Sequence, residues 1–257
     1  MTVTLRLRPA AGRLLFAGLM AASVCVLPAR AEELDKAEIE KIVREYLLSN
    51  PEIIQEAMIA LEQKRRDQEA VARARAIEDQ GDILFNSVHQ AELGNPDGDV
   101  TLVEFFDYNF GFCKRAMPDL IKLIEEDSNL RVVIKEFPVL GQGSVEAAQV
   151  SVAVNTLDPA RYLDFHASLL AHRGQINRAV ALQVAEAVGF DRSEIEAQVA
   201  KGDASASIEE VYALANNLGL TGTPSYVVGN EVVMGAVGYE TLRDKVQAYR
   251  QCGSTVC

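Results

Sequence analysis

Beyond residue 31 the sequence has no apolar run near the roughly 20 residues that a bilayer-spanning helix needs, so the mature chain is expected to be soluble. Positive charge is scarce as well. There are 25 Lys and Arg against 37 Asp and Glu, and such a surface repels nucleic-acid phosphates and anionic lipid headgroups, so neither is expected as a partner. Glycine never gathers into a phosphate-cradling loop, no Ser/His/Asp signature stands out, and no basic stretch is interleaved with aromatics. Histidine is limited to His89, His166 and His172. The last two are six residues apart, which puts them on different sides of a helix, and no cysteine or carboxylate cluster adjoins them. No metal site is therefore expected, all three are read as surface residues, and no cofactor is implied.

The most apolar stretch opens the chain. Arg6, Arg8 and Arg13 lead into the run from Leu14 to Leu27, and Ala29-Arg30-Ala31 has the small-x-small pattern of a cleavage site. This reads as a secretory signal peptide over residues 1–31, removed after Ala31, with the periplasm as destination. The alternative is a membrane anchor, for which the run is short. Cys25 raises a lipidation alternative, but Ala22 and Val24 are poor neighbours for a lipidated cysteine. Cleavage would remove four arginines and no acid, leaving 21 basic against 37 acidic residues and moving the net charge from −12 to −16.

Three cysteines would remain: Cys113, Cys252 and Cys257. In an oxidising compartment an odd count leaves one thiol over. Cys252-Gly253-Ser254-Thr255-Val256-Cys257 closes a short loop in which Gly253 can turn, so these two are expected to pair, contributing roughly 2 kcal/mol through loop entropy. The alternative is two free thiols on a frayed end. Cys113 is then unpaired.

Residues 32 to about 80 read as a helical arm. Ile39, Ile42, Val43, Tyr46 and Leu47 form one apolar stripe, Ser49-Asn50-Pro51-Glu52 stops that helix and starts the next, and Ile54, Met58 and Leu61 continue a stripe. After Lys64 the pattern is almost wholly polar to Asp79, a half that cannot dock on a core and must be solvated or face another subunit. A helix from Pro51 to Asp79 spans roughly 40 Å. Homo-oligomerisation through these helices is expected, the alternative being an arm folded back on its own domain.

From residue 81 onward the patterning is α/β. Asn95-Pro96-Asp97-Gly98 is a turn, Val100–Tyr108 a strand, Gly111–Asp127 a helix and Leu130–Phe137 a second strand. Residues 143–218 hold only helical patterns, broken at Asp158-Pro159, Arg173-Gly174 and Gly189. Strands return at Ser225–Val228 and Glu231–Met234, before a helix from Tyr239 to Arg250. The order fits a thioredoxin fold with an inserted helical subdomain and an N-terminal helical arm: a parallel pair needs its crossover helix, and a hairpin adds the antiparallel part.

Val103-Glu104-Phe105-Phe106-Asp107-Tyr108-Asn109-Phe110-Gly111-Phe112-Cys113-Lys114-Arg115, Lys135-Glu136-Phe137-Pro138-Val139-Leu140-Gly141 and Thr221-Gly222-Thr223-Pro224-Ser225 carry a resemblance. On these segments the chain resembles the DsbA family of disulfide oxidoreductases, and more narrowly the bacterial branch with the oligomeric ScsC-type proteins, over residues 83–250. Such proteins carry Cys-x-x-Cys at the start of the first helix. Backbone N–H groups and the helix dipole there stabilise an attacking thiolate, and the second cysteine resolves the mixed disulfide.

Here Phe110 replaces the nucleophile and Cys113 occupies the resolving position, so the resemblance implies impaired exchange. Cys113 is read either as a residual reactive thiol or as a small buried hydrophobe. Phe110 is either a variant or, with Phe112, an apolar platform for unfolded chains. Thr223-Pro224 would be the cis-proline turn that faces the redox motif and pairs with extended substrate; the alternative is an ordinary loop proline. Glu104 matches a buried acid beneath the motif that tunes thiol pKa, unless strand alternation turns it to solvent. Two functions remain open: a thiol–disulfide oxidoreductase-like protein acting on cysteine-containing secreted proteins, and a redox-inactive chaperone or peptide-binding protein for unfolded ones. No membrane redox partner is identified, and copper handling finds no ligand constellation.

Overall fold

The computed structural model describes residues 35–257. The leader expected over residues 1–31, with Cys25, lies outside the described residues. The chain forms two compact units, one up to Ala57 and one from Met58 onward.

In the first unit α1 (Lys36–Ser49) is followed by the opening turns of α2 (Glu52–Asp79). Asn50 stops α1, its backbone N–H and its side-chain amide both donating to the Tyr46 carbonyl, and Pro51, with no N–H to lose, leads into α2. No residue of α1 is buried. Ile39, Ile42, Val43 and Tyr46 are 46–58 % exposed, so most of the stripe read from the sequence is left uncovered by the described residues.

In the second unit α2 continues as a charged helix laced by Glu62–Arg65 and Glu69–Arg73 pairs. The expectation that its polar half cannot dock is corrected at its end. Ile77 is buried in a cluster with Leu84, Val103, Phe105 and Val133, because a single apolar residue in the last turn suffices when α3 (Gly81–Asn86) carries Leu84 beside it.

A five-stranded mixed sheet follows in the order β1-β3-β2-β4-β5. β1 (Ala91–Gly94) is a strand the sequence reading did not anticipate; it pairs antiparallel with β3 (Leu130–Glu136). β2 (Val100–Phe106) runs parallel to β3 and antiparallel to β4 (Ser225–Val228), which forms the hairpin with β5 (Glu231–Met234). The crossover between β2 and β3 is α4 (Gly111–Glu126). The insertion comprises α5 (Gln142–Leu157), a 3-10 turn, α6 (Tyr162–Ala171), α7 (Arg178–Ala187), α8 (Arg192–Val199) and α9 (Asp203–Asn217), and α10 (Tyr239–Cys252) closes the fold.

Successive side chains of a strand point to opposite faces, and here both faces are covered. Leu102 and Phe106 join the larger core with α4, α5, α6 and α10, whereas Val103 and Phe105 face α2, α3 and α9. Central strands covered on both sides are apolar almost throughout. Glu104, which shares the face of Leu102 and Phe106, is therefore conspicuous. The fold is the mixed α/β thioredoxin-like architecture expected, with its helical insertion and N-terminal helices.

Candidate functional site

The site forms where β2 hands over to α4. Asp107, buried at the strand's end, fixes the loop with one carboxylate: it accepts from the Asn109 N–H (2.7 Å), the Ser144 hydroxyl (2.7 Å) and the Leu140 N–H (2.9 Å). Asn109 ties the same loop to the insertion, accepting from the Ile176 N–H (2.7 Å) and donating to the Ile176 carbonyl (2.9 Å). A buried side chain that accepts from two backbone N–H groups and a hydroxyl on three segments holds a loop in one geometry. That geometry sets where Phe110 sits.

Phe110 is the N-cap of α4, with extended backbone and no side-chain capping bond. Its ring has no oxygen to accept from the first-turn N–H groups that Ser, Thr, Asp or Asn would satisfy. It packs partly buried against the main core. Phe112 is half exposed; its ring lies 5.3 Å from that of Phe110 and carries the Arg115 guanidinium 4.2 Å above it.

Cys113 points inward and is 1 % exposed, the free cysteine among the described residues. Burial pushes its thiol up to about 12; a hydrogen bond with the Asp107 backbone offsets this in part, and the nearby charge of Glu104 adds to it. Thr223 also lies within reach of the thiol, yet its buried Oγ1 makes no well-formed hydrogen bond. The Thr223-Pro224 bond is cis. Pro224 is itself buried, its carbonyl accepts the Gly235 N–H at 2.8 Å, and the next residue, Ser225, pairs with Phe105 of β2. Cys113, Thr223 and Glu104 thus meet at one end of the sheet.

Glu104 lies opposite Tyr226 in the β2–β4 register and is buried rather than solvent-facing. Burial raises its carboxyl to about 8, offset partly by a hydrogen bond with Tyr226, so at neutral pH it is mostly a neutral acid beneath the thiol. Cys252 and Cys257 are joined in a disulfide at the end of α10. Among the described residues no three His, Cys, Asp or Glu side chains gather as a metal site.

One expectation is corrected outright. His166 is not on the surface: it is 1 % exposed, bonded through Nδ1 to the Tyr108 hydroxyl at 2.9 Å and stacked on Tyr162. Burial pulls its imidazole down to about 3, so it stays neutral. Ser151 links Tyr108 (2.7 Å) to Tyr162 (3.2 Å), and the Tyr162 hydroxyl faces Glu136 at 3.4 Å. Asp107, Asn109, Ser144 and this buried chain were all missed by sequence reading. A local signal existed only for Asp107, a carboxylate directly after an apolar strand.

A DSBA-like thioredoxin domain matches residues 101–247, and the Copper resistance protein ScsC N-terminal domain matches residues 35–68. A thioredoxin-like oxidoreductase from Silicibacter pomeroyi is 40 % identical, with TM-score 0.64 over 66 % of this chain and 98 % of that one. ScsC of Proteus mirabilis, in a transitional conformation, is 31 % identical with TM-score 0.63, covering 84 % of this chain and 96 % of that one. A periplasmic thioredoxin-like protein from Salmonella enterica is 28 % identical with TM-score 0.57, covering 65 % and 93 %. The chain spans about a quarter of the length of the curated relatives it matches first, two Na(+)/H(+) antiporters of Salinispora arenicola and Salinispora tropica, 26 % and 23 % identical over 58 % and 60 % of this chain and 23 % and 24 % of theirs. With more than half of its length matched, the chain belongs to the DSBA-like thioredoxin domain family and carries an ScsC-type N-terminal domain.

Proposed function

We propose that this is an exported, periplasmic protein of the thiol–disulfide oxidoreductase type that engages unfolded or cysteine-containing secreted proteins at the junction of α4 and the cis-proline turn, with thiol exchange impaired. The observation that carries the reading is the state of Cys113. The thiol nearest the cis-Thr223-Pro224 turn is buried and pushed up to about 12, and the helix mouth in front of it holds Phe110. Exchange needs a thiolate with access to a disulfide, and Cys113 has neither property.

Export is supported by the leader pattern of residues 1–31, by the Cys252–Cys257 disulfide, which suits an oxidising compartment, and by the periplasmic relative. Self-association through α1 and the first turns of α2 is supported by their exposed apolar residues and by the ScsC-type domain that covers them.

The second reading, a chaperone with no redox role, draws on Phe112, Val139 and Leu140, which are 41–50 % exposed. Exposed apolar residues grouped near one loop mark an interaction surface. One experiment addresses both readings. A fluorescent, reduced and unfolded client is titrated with the Cys252→Ser/Cys257→Ser double variant, so that only the α4 site is read, while the client's own disulfide formation is followed in the presence of an oxidant. Saturable binding with no client oxidation beyond the background rate is the expected result. Repeated turnover would remove the claim of impaired exchange, and absence of binding would remove the client-engaging site. Cys113→Ser separates the two readings: unchanged binding and protection from aggregation favour the chaperone, and loss of a slow mixed disulfide favours the oxidoreductase-like protein.

A further inference from the structure

The Cys252–Cys257 disulfide closes a short loop beyond the buried stretch of α10. α10 is held by Tyr239, Leu242 and Val246, all upstream of Cys252. Its end is set by Gly253, which adopts a left-handed conformation (φ 70°) and donates its N–H to the Tyr249 carbonyl at 2.8 Å, a helix stop that needs no cross-link. The bond joins residues only five apart, and of the four residues between them only Thr255 is buried. Both cysteines are exposed. A cavity of about 580 Å³, walled mainly by α2 with Tyr249 and Gly229, reaches the first residue of the loop at Gly253.

A disulfide that opens without unfolding its domain, and whose sulfurs an incoming thiolate can reach, meets the two structural requirements for exchange. We propose that Cys252–Cys257 is an exchangeable redox pair that oxidises a dithiol, such as a reduced peptide with two nearby cysteines. A thiolate of the dithiol bonds to one of the two sulfurs. The Cys252–Cys257 bond breaks, and its electron pair leaves on the other sulfur, which takes a proton from solvent. The dithiol's second thiolate then attacks the mixed disulfide, forms the peptide disulfide and releases the remaining cysteine as a thiolate, which is protonated in turn. The peptide loses two electrons and the protein pair gains them. This chemistry does not involve α4, and it stands apart from the reading of Phe110 and Cys113.

The test uses the full mature chain in oxidised form, mixed at pH 7 with an excess of a two-cysteine reduced peptide, quenched in acid and counted by mass spectrometry. The expected result is one peptide disulfide and two new protein thiols per chain, retained in Cys113→Ser and lost when Cys252→Ser and Cys257→Ser are combined. Opening in the folded chain should proceed within tenfold of the rate in the urea-unfolded chain, with an unchanged circular dichroism spectrum. Opening a hundredfold slower in the folded chain, or peptide oxidation that persists in the double variant, overturns the proposal.

Discussion

Phe110→Cys should raise the rate of insulin reduction by about three orders of magnitude at pH 7. At this junction the chain offers one thiol, held near 12, of which only about one molecule in 10⁵ is thiolate at that pH, against a few per cent for an ordinary free cysteine near pKa 8.5. A sulfur at position 110 would stand in front of the uncapped first turn of α4, where unpaired N–H groups and the helix dipole stabilise negative charge. Cys113, one turn along, would lie in place to resolve the mixed disulfide. The comparison is made from initial rates with the same reductant, both proteins also carrying Cys252→Ser and Cys257→Ser so that the C-terminal pair does not contribute. Adding Cys113→Ser to the variant should leave stable mixed disulfides and little turnover. Natural and variant rates within tenfold of each other would mean that something other than the helix-mouth sulfur limits exchange.

Stability should fall as pH rises from about 4.5 to 8. Glu104 is raised to about 8 in the folded chain from an ordinary value of 4.5. Between those values the unfolded chain releases a proton that the folded one keeps, so the stabilisation is complete below the lower value and lost through the upper one. The loss should be on the order of 3–5 kcal/mol. Glu136, also raised by burial, acts in the same direction. His166, pulled down to about 3 from 6.5, opposes them, because below 6.5 the unfolded chain takes up a proton that the folded one refuses. Lys135, lowered to about 8 by burial, acts above the window. Glu104→Gln, which keeps a polar group opposite Tyr226, should flatten the fall and raise stability at pH 8, as read by urea unfolding at a series of pH values. A variant with an unchanged pH slope would show that Glu104 is already ionised in the folded state.

The architecture was legible wherever side chains repeat with a clear period. β-branched runs at Val100–Phe106 and Leu130–Glu136 and the Gly-Thr-Pro turn before Ser225 all announce themselves locally. β1 did not, because Ala91-Glu92-Leu93-Gly94 is four residues with no β-branched side chain, and it is a strand only because β3 offers it an edge. Ile77 looked like one apolar residue on a polar helix; its burial depends on Leu84 and Val133, which the sequence keeps apart. His166 failed for the same reason. Tyr108, Ser151 and Glu136 lie 58, 15 and 30 positions away from it along the chain, and nothing local marks a histidine that will be enclosed by such a network. Candidate residues set by backbone position, Phe110 and Cys113, were readable. Those set by tertiary hydrogen bonds, Asp107 and Asn109 above all, acquire their role only once the insertion folds over them.

The central claim is that Cys113 is a shielded, protonated thiol, the free cysteine among the described residues, with Phe110 where an exchange partner would stand. The pH dependence of its alkylation in the folded protein, followed by mass spectrometry, tests this most directly. Modification should be slow and should keep accelerating with pH, with no plateau up to pH 10. A plateau with a midpoint below pH 8 would show an accessible thiolate at the mouth of α4, and the account would fail.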